Sequence, residues 1–181
     1  VNLGSAGAPS RYSECDAMWR HPRSGGTLFV GSASMAANRE GLRARNITRI
    51  VNCQGDDGKN HFEGDADLDY LRFPIGRWRL ERNVRDGGDG TWKFWEPLFH
   101  FVFESLNAGH NVLVHCFAGA HRAGTAGIAL LMILCGWDPA QAQSAAQQLR
   151  PAIDPIGEFP ELLQLLQRAR AGRERCLPAG G

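Results

Sequence analysis

The sequence predicts an α/β domain in which a central, mainly parallel, twisted sheet is flanked by helices. Strand-like segments alternate with helical ones along the chain, the pattern of parallel β-α-β units. Residues 47–53 (Ile-Thr-Arg-Ile-Val-Asn-Cys) are β-branched and apolar, as a buried parallel strand should be. Residues 123–134 are apolar nearly all round, which marks a helix in the middle of the molecule.

Residues 1–24 are rich in Gly, Ser, Pro and Arg and read as a tail. An N-terminal extension is therefore expected over 1–25, one domain over 26–172 and a flexible tail over 173–181. Residues 27–31 form a short strand, Ser32 or Ser34 caps a helix, and 38–45 is a second helical stretch. After strand 47–53 comes a polar, acidic loop over 55–67, then a strand over 68–73 stopped by Pro74. A long loop with Gly76, Gly87, Gly88 and Gly90 leads to an aromatic helix over 92–106, with Pro97 in its first turn or kinking it. Gly109 ends that helix, and 111–115 is the next strand. Asp138-Pro139 starts a helix through Leu149, and 158–171 forms the last one.

With 181 residues, 43% of them hydrophobic, the chain is sized for one globular core. A net charge of +1 gives no global attraction to nucleic acid. The longest strongly apolar run, 128–137, is too short to span a bilayer, and the amino terminus has no signal-peptide core. Five cysteines at 15, 53, 116, 135 and 176 do not make a secreted disulfide framework, and no Cys-x-x-Cys pair suggests structural zinc. A reducing compartment, cytoplasmic or nuclear, is expected. The start at Val1 and the Gly and Pro at both ends read as a domain excised from a longer chain.

The segment His115-Cys116-Phe117-Ala118-Gly119-Ala120-His121-Arg122 stands between strand and central helix. In open α/β sheets ligands bind at such carboxyl ends of strands. Phe117, Ala118, Gly119, Ala120 and His121 are enough for a tight loop whose backbone N–H groups converge on one phosphate. The helix beginning near Arg122 aims its positive end at the same point. Arg122 offers a planar fork for two phosphate oxygens, and Gly119 permits a turn that a Cβ would obstruct. A thiol at Cys116 among these donors is expected as a thiolate nucleophile. In-line attack by its sulfur on phosphorus gives a cysteinyl-phosphate that water then hydrolyses, with no metal or other cofactor required.

This loop resembles the signature of the protein tyrosine phosphatase superfamily, especially its dual-specificity branch. Leu28-Phe29-Val30-Gly31-Ser32 and Ile47-Thr48-Arg49-Ile50-Val51-Asn52 are similar to the opening of that domain, and Tyr70-Leu71-Arg72-Phe73-Pro74-Ile75 to its strand before the acid loop. Gly136-Trp137-Asp138 and residues 150–159 look like its closing helices, so the resemblance covers about 26–170. It implies that Cys116 is the nucleophile, that Arg122 binds phosphate and that His115 supports the thiolate. Two positions depart from the family pattern. Ala123 stands where a Ser or Thr hydroxyl usually assists departure of the thiolate, with Thr125 the next hydroxyl along. Gly76 and Arg77 stand where the general-acid Asp is usual, so Asp86, thirty residues before Cys116, is the first choice for that acid and Asp89 the second. Both also suit plain turn-forming roles.

Arg77, Arg79, Arg82 and Arg85 lie within nine residues and would attract polyanions if they border the site. Members acting on phosphoinositides tend to carry lysines in the loop, and this loop has none. A phosphorylated protein is therefore the expected substrate, with phosphoinositides, glucans and nucleotides as alternatives. Cys53 ends a strand parallel to the one feeding Cys116; in several relatives a cysteine hereabouts forms a reversible disulfide with the nucleophile. A buried, inert thiol is the other reading of Cys53. For the whole chain, a pseudophosphatase that binds phosphorylated partners without turnover is the alternative, whereas a rhodanese-like sulfur carrier would not share the flanking elements. Assembly beyond a monomer is left open.

Overall fold

The computed structural model describes residues 13–56 and 58–176. Five strands, β1 (Cys15–Arg20), β2 (Thr27–Gly31), β3 (Ile47–Asn52), β4 (Asp69–Arg72) and β5 (Asn111–His115), form one sheet in the order β1-β2-β5-β3-β4. β1 runs antiparallel to β2, and every other pair is parallel. The predicted α/β class and mainly parallel sheet are what the chain forms.

Side-chain alternation divides the core between the two faces of the sheet. Val112 and Val114 of β5, with Leu28 and Val30 of β2, join the large cluster under helices α3 (Asp89–Asn107), α4 (Arg122–Leu134), α5 (Pro139–Leu149) and α6 (Phe159–Cys176). Leu113, Ile50 and Ile47 point the other way, toward Met35 and Ala36 of α1 (Ala33–Ala37) and Leu42 of α2 (Arg39–Ala44). α4 is buried from Ala123 to Met132, as its all-round apolar sequence requires. The short helices begin at side-chain caps, Ser32 accepting from the Met35 amide and Asn38 from that of Gly41. Asp138 and Gln141 close a capping box at the start of α5.

Four segments differ from the sequence expectation. Residues 15–20 are a strand, not a tail: β1 buries Met18 and Cys15 on opposite faces, and a bulge between Ala17 and Trp19 hides the alternation from the sequence. The long loop after Pro74 contains two 3-10 segments, Ile75–Leu80 and Val84–Asp86, anchored by buried Ile75, Trp78 and Val84. α3 begins at Asp89, ahead of Trp92, so Pro97 lies well inside it. α6 continues to Cys176; residues 1–12 and 177–181 of the expected tails lie outside the described residues. Among the described residues no single helix is long and apolar enough to cross a membrane.

Candidate active site

β5 lies between β2 and β3, and its ladder runs to its last residue, where the His115 carbonyl accepts from the Cys53 amide at 2.8 Å. The chain then turns sharply at Cys116, which is 3% exposed. Each carbonyl from Phe117 to His121 is taken by a donor from outside that run. Phe117 O accepts from Ala33 N (3.0 Å), Ala120 O from Asp154 N (3.2 Å), and His121 O from Thr125 N (2.8 Å). Between them, the Arg150 guanidinium donates to Ala118 O (Nη2, 3.1 Å) and to Gly119 O (Nε, 2.9 Å).

The described peptides are all trans, so a carbonyl and the amide that follows it point in opposite directions. Holding the carbonyls of residues 117–121 outward therefore turns the N–H groups of residues 118–122 inward, where they can meet one anion. Gly119 sits at φ +69°, and a Cβ there would collide with the Gly31 carbonyl and lie 2.9 Å from Arg150 Nη2. α4 starts directly behind the turn with no side-chain cap at His121, so its first amides add donors at the same place. The His121 ring (Nδ1) lies 2.5 Å from the Asp154 carbonyl, on the side of the loop that faces residues 150–154.

The structure brings Cys116, Arg122, His115 and Cys53 together. Cys53 is fully buried, and burial pushes its thiol well above the usual range; negative charge on Cys116 pushes the same way, and Arg122 opposes both. Both sulfurs thus share one neighbourhood with the guanidinium. Among the described residues no carboxylate pairs with Arg122, which keeps its fork available to a phosphate. His115 is also fully buried, and its ring nitrogens have no hydrogen-bond partner. Burial lowers it to about 4, opposed in part by the neighbouring Cys116 backbone, which falls short of hydrogen-bonding geometry. Near neutral pH the ring is uncharged, so any help it gives the thiolate is not that of a cation.

Ala123 is fully buried at the foot of α4, and the Thr125 hydroxyl donates to the His121 carbonyl at 2.7 Å. The next hydroxyl along the chain is therefore occupied by the helix backbone. Asp89 lies in the first turn of α3, paired with Lys93 (2.8 Å) and Arg173 (3.1 Å); the Lys93 hydrogen bond first, and both cations by charge, hold it below the usual carboxylate range. Asp86 accepts from the Gly88 amide at 2.8 Å, and the adjoining Gly87 rests on the Arg168 side chain. These contacts place the 86–89 turn along α6, Arg168 being nine residues beyond the start of that helix, or about 13 Å.

Two arginines of the basic cluster are spent on local carboxylates. Arg77 pairs with Asp56 and Arg79 with Glu158, tying the segment after β4 to its neighbouring loops. Sequence reasoning missed Arg150 and Asp154 as parts of the site. Arg150 is the C-cap of α5 and stands before Pro151, where no periodicity announces a role; a strongly buried guanidinium is visible only in the fold. Among the described residues no group of three or more His, Cys, Asp or Glu side chains is arranged to hold a metal.

Residues 28–169 match the dual specificity phosphatase catalytic domain. The chain is 34% identical over 149 residues to dual specificity protein phosphatase 9 of Homo sapiens, covering 82% of this chain and 36% of that protein. It is 28% identical over 142 residues to dual specificity protein phosphatase 1 of Arabidopsis thaliana, covering 78% of this chain and 66% of that protein. The chain thus spans from about a third to just under two thirds of the length of these relatives. The crystal structure of human DUSP28 aligns with a TM-score of 0.61 at 25% identity, over 87% of this chain and 95% of that one. The matched residues contain the whole Cys116–Arg122 turn, the strand β5 that feeds it and the helix α4 that follows it, and the chain belongs to the dual specificity phosphatase family.

Proposed function

We propose that this chain is a cysteine-dependent phosphomonoester hydrolase acting on phosphorylated Tyr, Ser or Thr of proteins. One observation carries the reading: five consecutive carbonyls are tied away from the space above Cys116, leaving inward amides and an unpaired Arg122 for a phosphate dianion. Binding there neutralises the equatorial oxygens and lines up phosphorus with the Cys116 sulfur. The S–P bond forms as the bond to the leaving oxygen breaks, and that oxygen takes a proton from a carboxylic acid. Water then cleaves the S–P bond and releases phosphate and the thiolate.

Asp86 is the donor the sequence favours, carried on the segment between β4 and α3. Asp154 is its structural competitor, because its backbone is bonded directly to the phosphate loop. Asp89, held ionised by two cations, suits the positive end of α3 instead, as an acidic residue in its first turn. A peptide substrate is favoured by Phe117, 74% exposed beside the nucleophile, which offers apolar contact to a flanking side chain. The pairing of Arg77 and Arg79 with carboxylates removes half of the basic cluster that a polyanion would need. A slow-turnover, phosphate-binding reading is favoured by Ala123 and the occupied Thr125 hydroxyl.

Hydrolysis of para-nitrophenyl phosphate, abolished in Cys116→Ser, is the direct test. Unchanged hydrolysis in that variant overturns the assignment. Tungstate binding without any hydrolysis would establish the binding-only reading instead.

A further inference from the structure

We propose that Arg150 is a positioning residue for phosphate binding, and that through it the phosphate loop depends on strand β1, which precedes the residues matched to the family. The inference rests on the phosphatase reading above. Arg150 is 2% exposed, and its guanidinium makes four hydrogen bonds. Two go to the loop carbonyls of Ala118 and Gly119; the others run from Nη1 to the Ser13 carbonyl (2.9 Å) and to Asp16 Oδ2 (2.7 Å).

A guanidinium is a rigid planar fork, so fixing one edge on Asp16 and Ser13 fixes the direction in which the other donors are offered. Those donors hold the two carbonyls on the outer side of the turn, and trans geometry then obliges the Gly119 and Ala120 amides to face the anion. Without Arg150 the Gly119 carbonyl is left unsatisfied in a buried place and the more exposed Ala118 carbonyl loses its tether, and rotation of those two peptides to find other partners removes two donors from the phosphate. Asp16, with its side chain 15% exposed, supplies the countercharge that lets Arg150 stay buried. Gly119 is part of the same device, since its missing Cβ admits Arg150 Nη2.

The test measures tungstate affinity by calorimetry in a Cys116→Ser background, and kcat and KM for para-nitrophenyl phosphate in the Cys116 protein. Arg150→Met is expected to weaken tungstate about tenfold or more and to lower kcat/KM by a similar factor. Arg150→Lys, which keeps the charge but not the fork, is expected to recover only part of the loss. Asp16→Asn keeps shape and one acceptor, so it should fold with a lowered melting temperature; measured well below that temperature, a loss of roughly threefold in tungstate affinity is expected. Folded Arg150→Lys and Asp16→Asn proteins that bind tungstate within twofold of the parent overturn the proposal, even if Arg150→Met fails to fold. If instead the parent neither binds tungstate nor hydrolyses the aryl phosphate, the phosphatase reading itself fails and takes the proposal with it.

Discussion

Residues of the phosphate loop differ in how far the type of residue alone decides its role. Cys116 and Arg122 need only their place after a strand and before a helix, because thiol and guanidinium have few alternatives there. Gly119 is a backbone requirement: φ +69° costs a Cβ-bearing residue about 1–2 kcal/mol before any collision with Gly31 is counted. Gly119→Ala should therefore bind tungstate poorly and melt lower than the parent, and near-parental values of both would show that the loop opens without cost. Ala123 has the opposite character, since its helical backbone suits any of Ala, Ser or Thr and what it lacks is a hydroxyl. With Thr125 bonded to His121, a burst of phenol release followed by slow turnover is expected. Ala123→Ser should remove the burst and raise steady-state turnover about tenfold, the value of one good hydrogen bond; equal steady-state rates in the two proteins would sink this account.

Elements set which residues meet. The parallel pairing of β3 with β5 puts Asn52 opposite His115, so Cys53 and Cys116 leave adjacent strand ends side by side. Mild peroxide should oxidise Cys116 to the sulfenic acid, which the Cys53 thiol then attacks with loss of water to form a disulfide. Non-reducing peptide mapping should find that link, and Cys53→Ser should lose activity to peroxide in a manner that thiols no longer restore. Restoration of that variant by thiols would count against the pairing. The segment between β4 and α3 poses the acid question at this scale. Substitution of the true donor by Asn should lower the rate on an alkyl phosphate by about 10²-fold while sparing an activated aryl phosphate. Asp86→Asn is expected to behave so, and Asp154→Asn doing so in its place would move the role to the loop after α5.

The whole molecule is what fixes the charge on His115. Its ring is buried as the neutral form, lowered to about 4 from 6.5, whereas the unfolded chain protonates it near 6.5. The unfolded state thus binds more protons between those values, and stability contributed by the neutral ring is full above about 6.5 and lost as pH falls toward 4. The loss amounts to roughly 3 kcal/mol. Melting temperature should fall over this window in the parent and fall less in His115→Asn; parallel curves for the two proteins would place the acid sensitivity elsewhere.

How much of this is legible in the sequence depends on the range of the interaction involved. Strands β2, β3 and β5, the buried helix α4 and the Cys116–Arg122 turn are written in local patterns, because period, capping and a short motif act within a few residues. β1 was not legible, since a bulge breaks its alternation and its partner strand decides its pairing. The acid was not legible, since a carboxylate among glycines reads the same whether it sits in the first turn of a helix, as Asp89 does, or donates a proton. The sequence by itself determined the α/β architecture and singled out Cys116 and Arg122 as the proposed nucleophile and its arginine. Tertiary structure alone decided that Arg150, held by Asp16 and Ser13, turns the loop amides toward the phosphate, because a guanidinium 31 residues from one partner and 134 from another acquires its role only when the chain has closed.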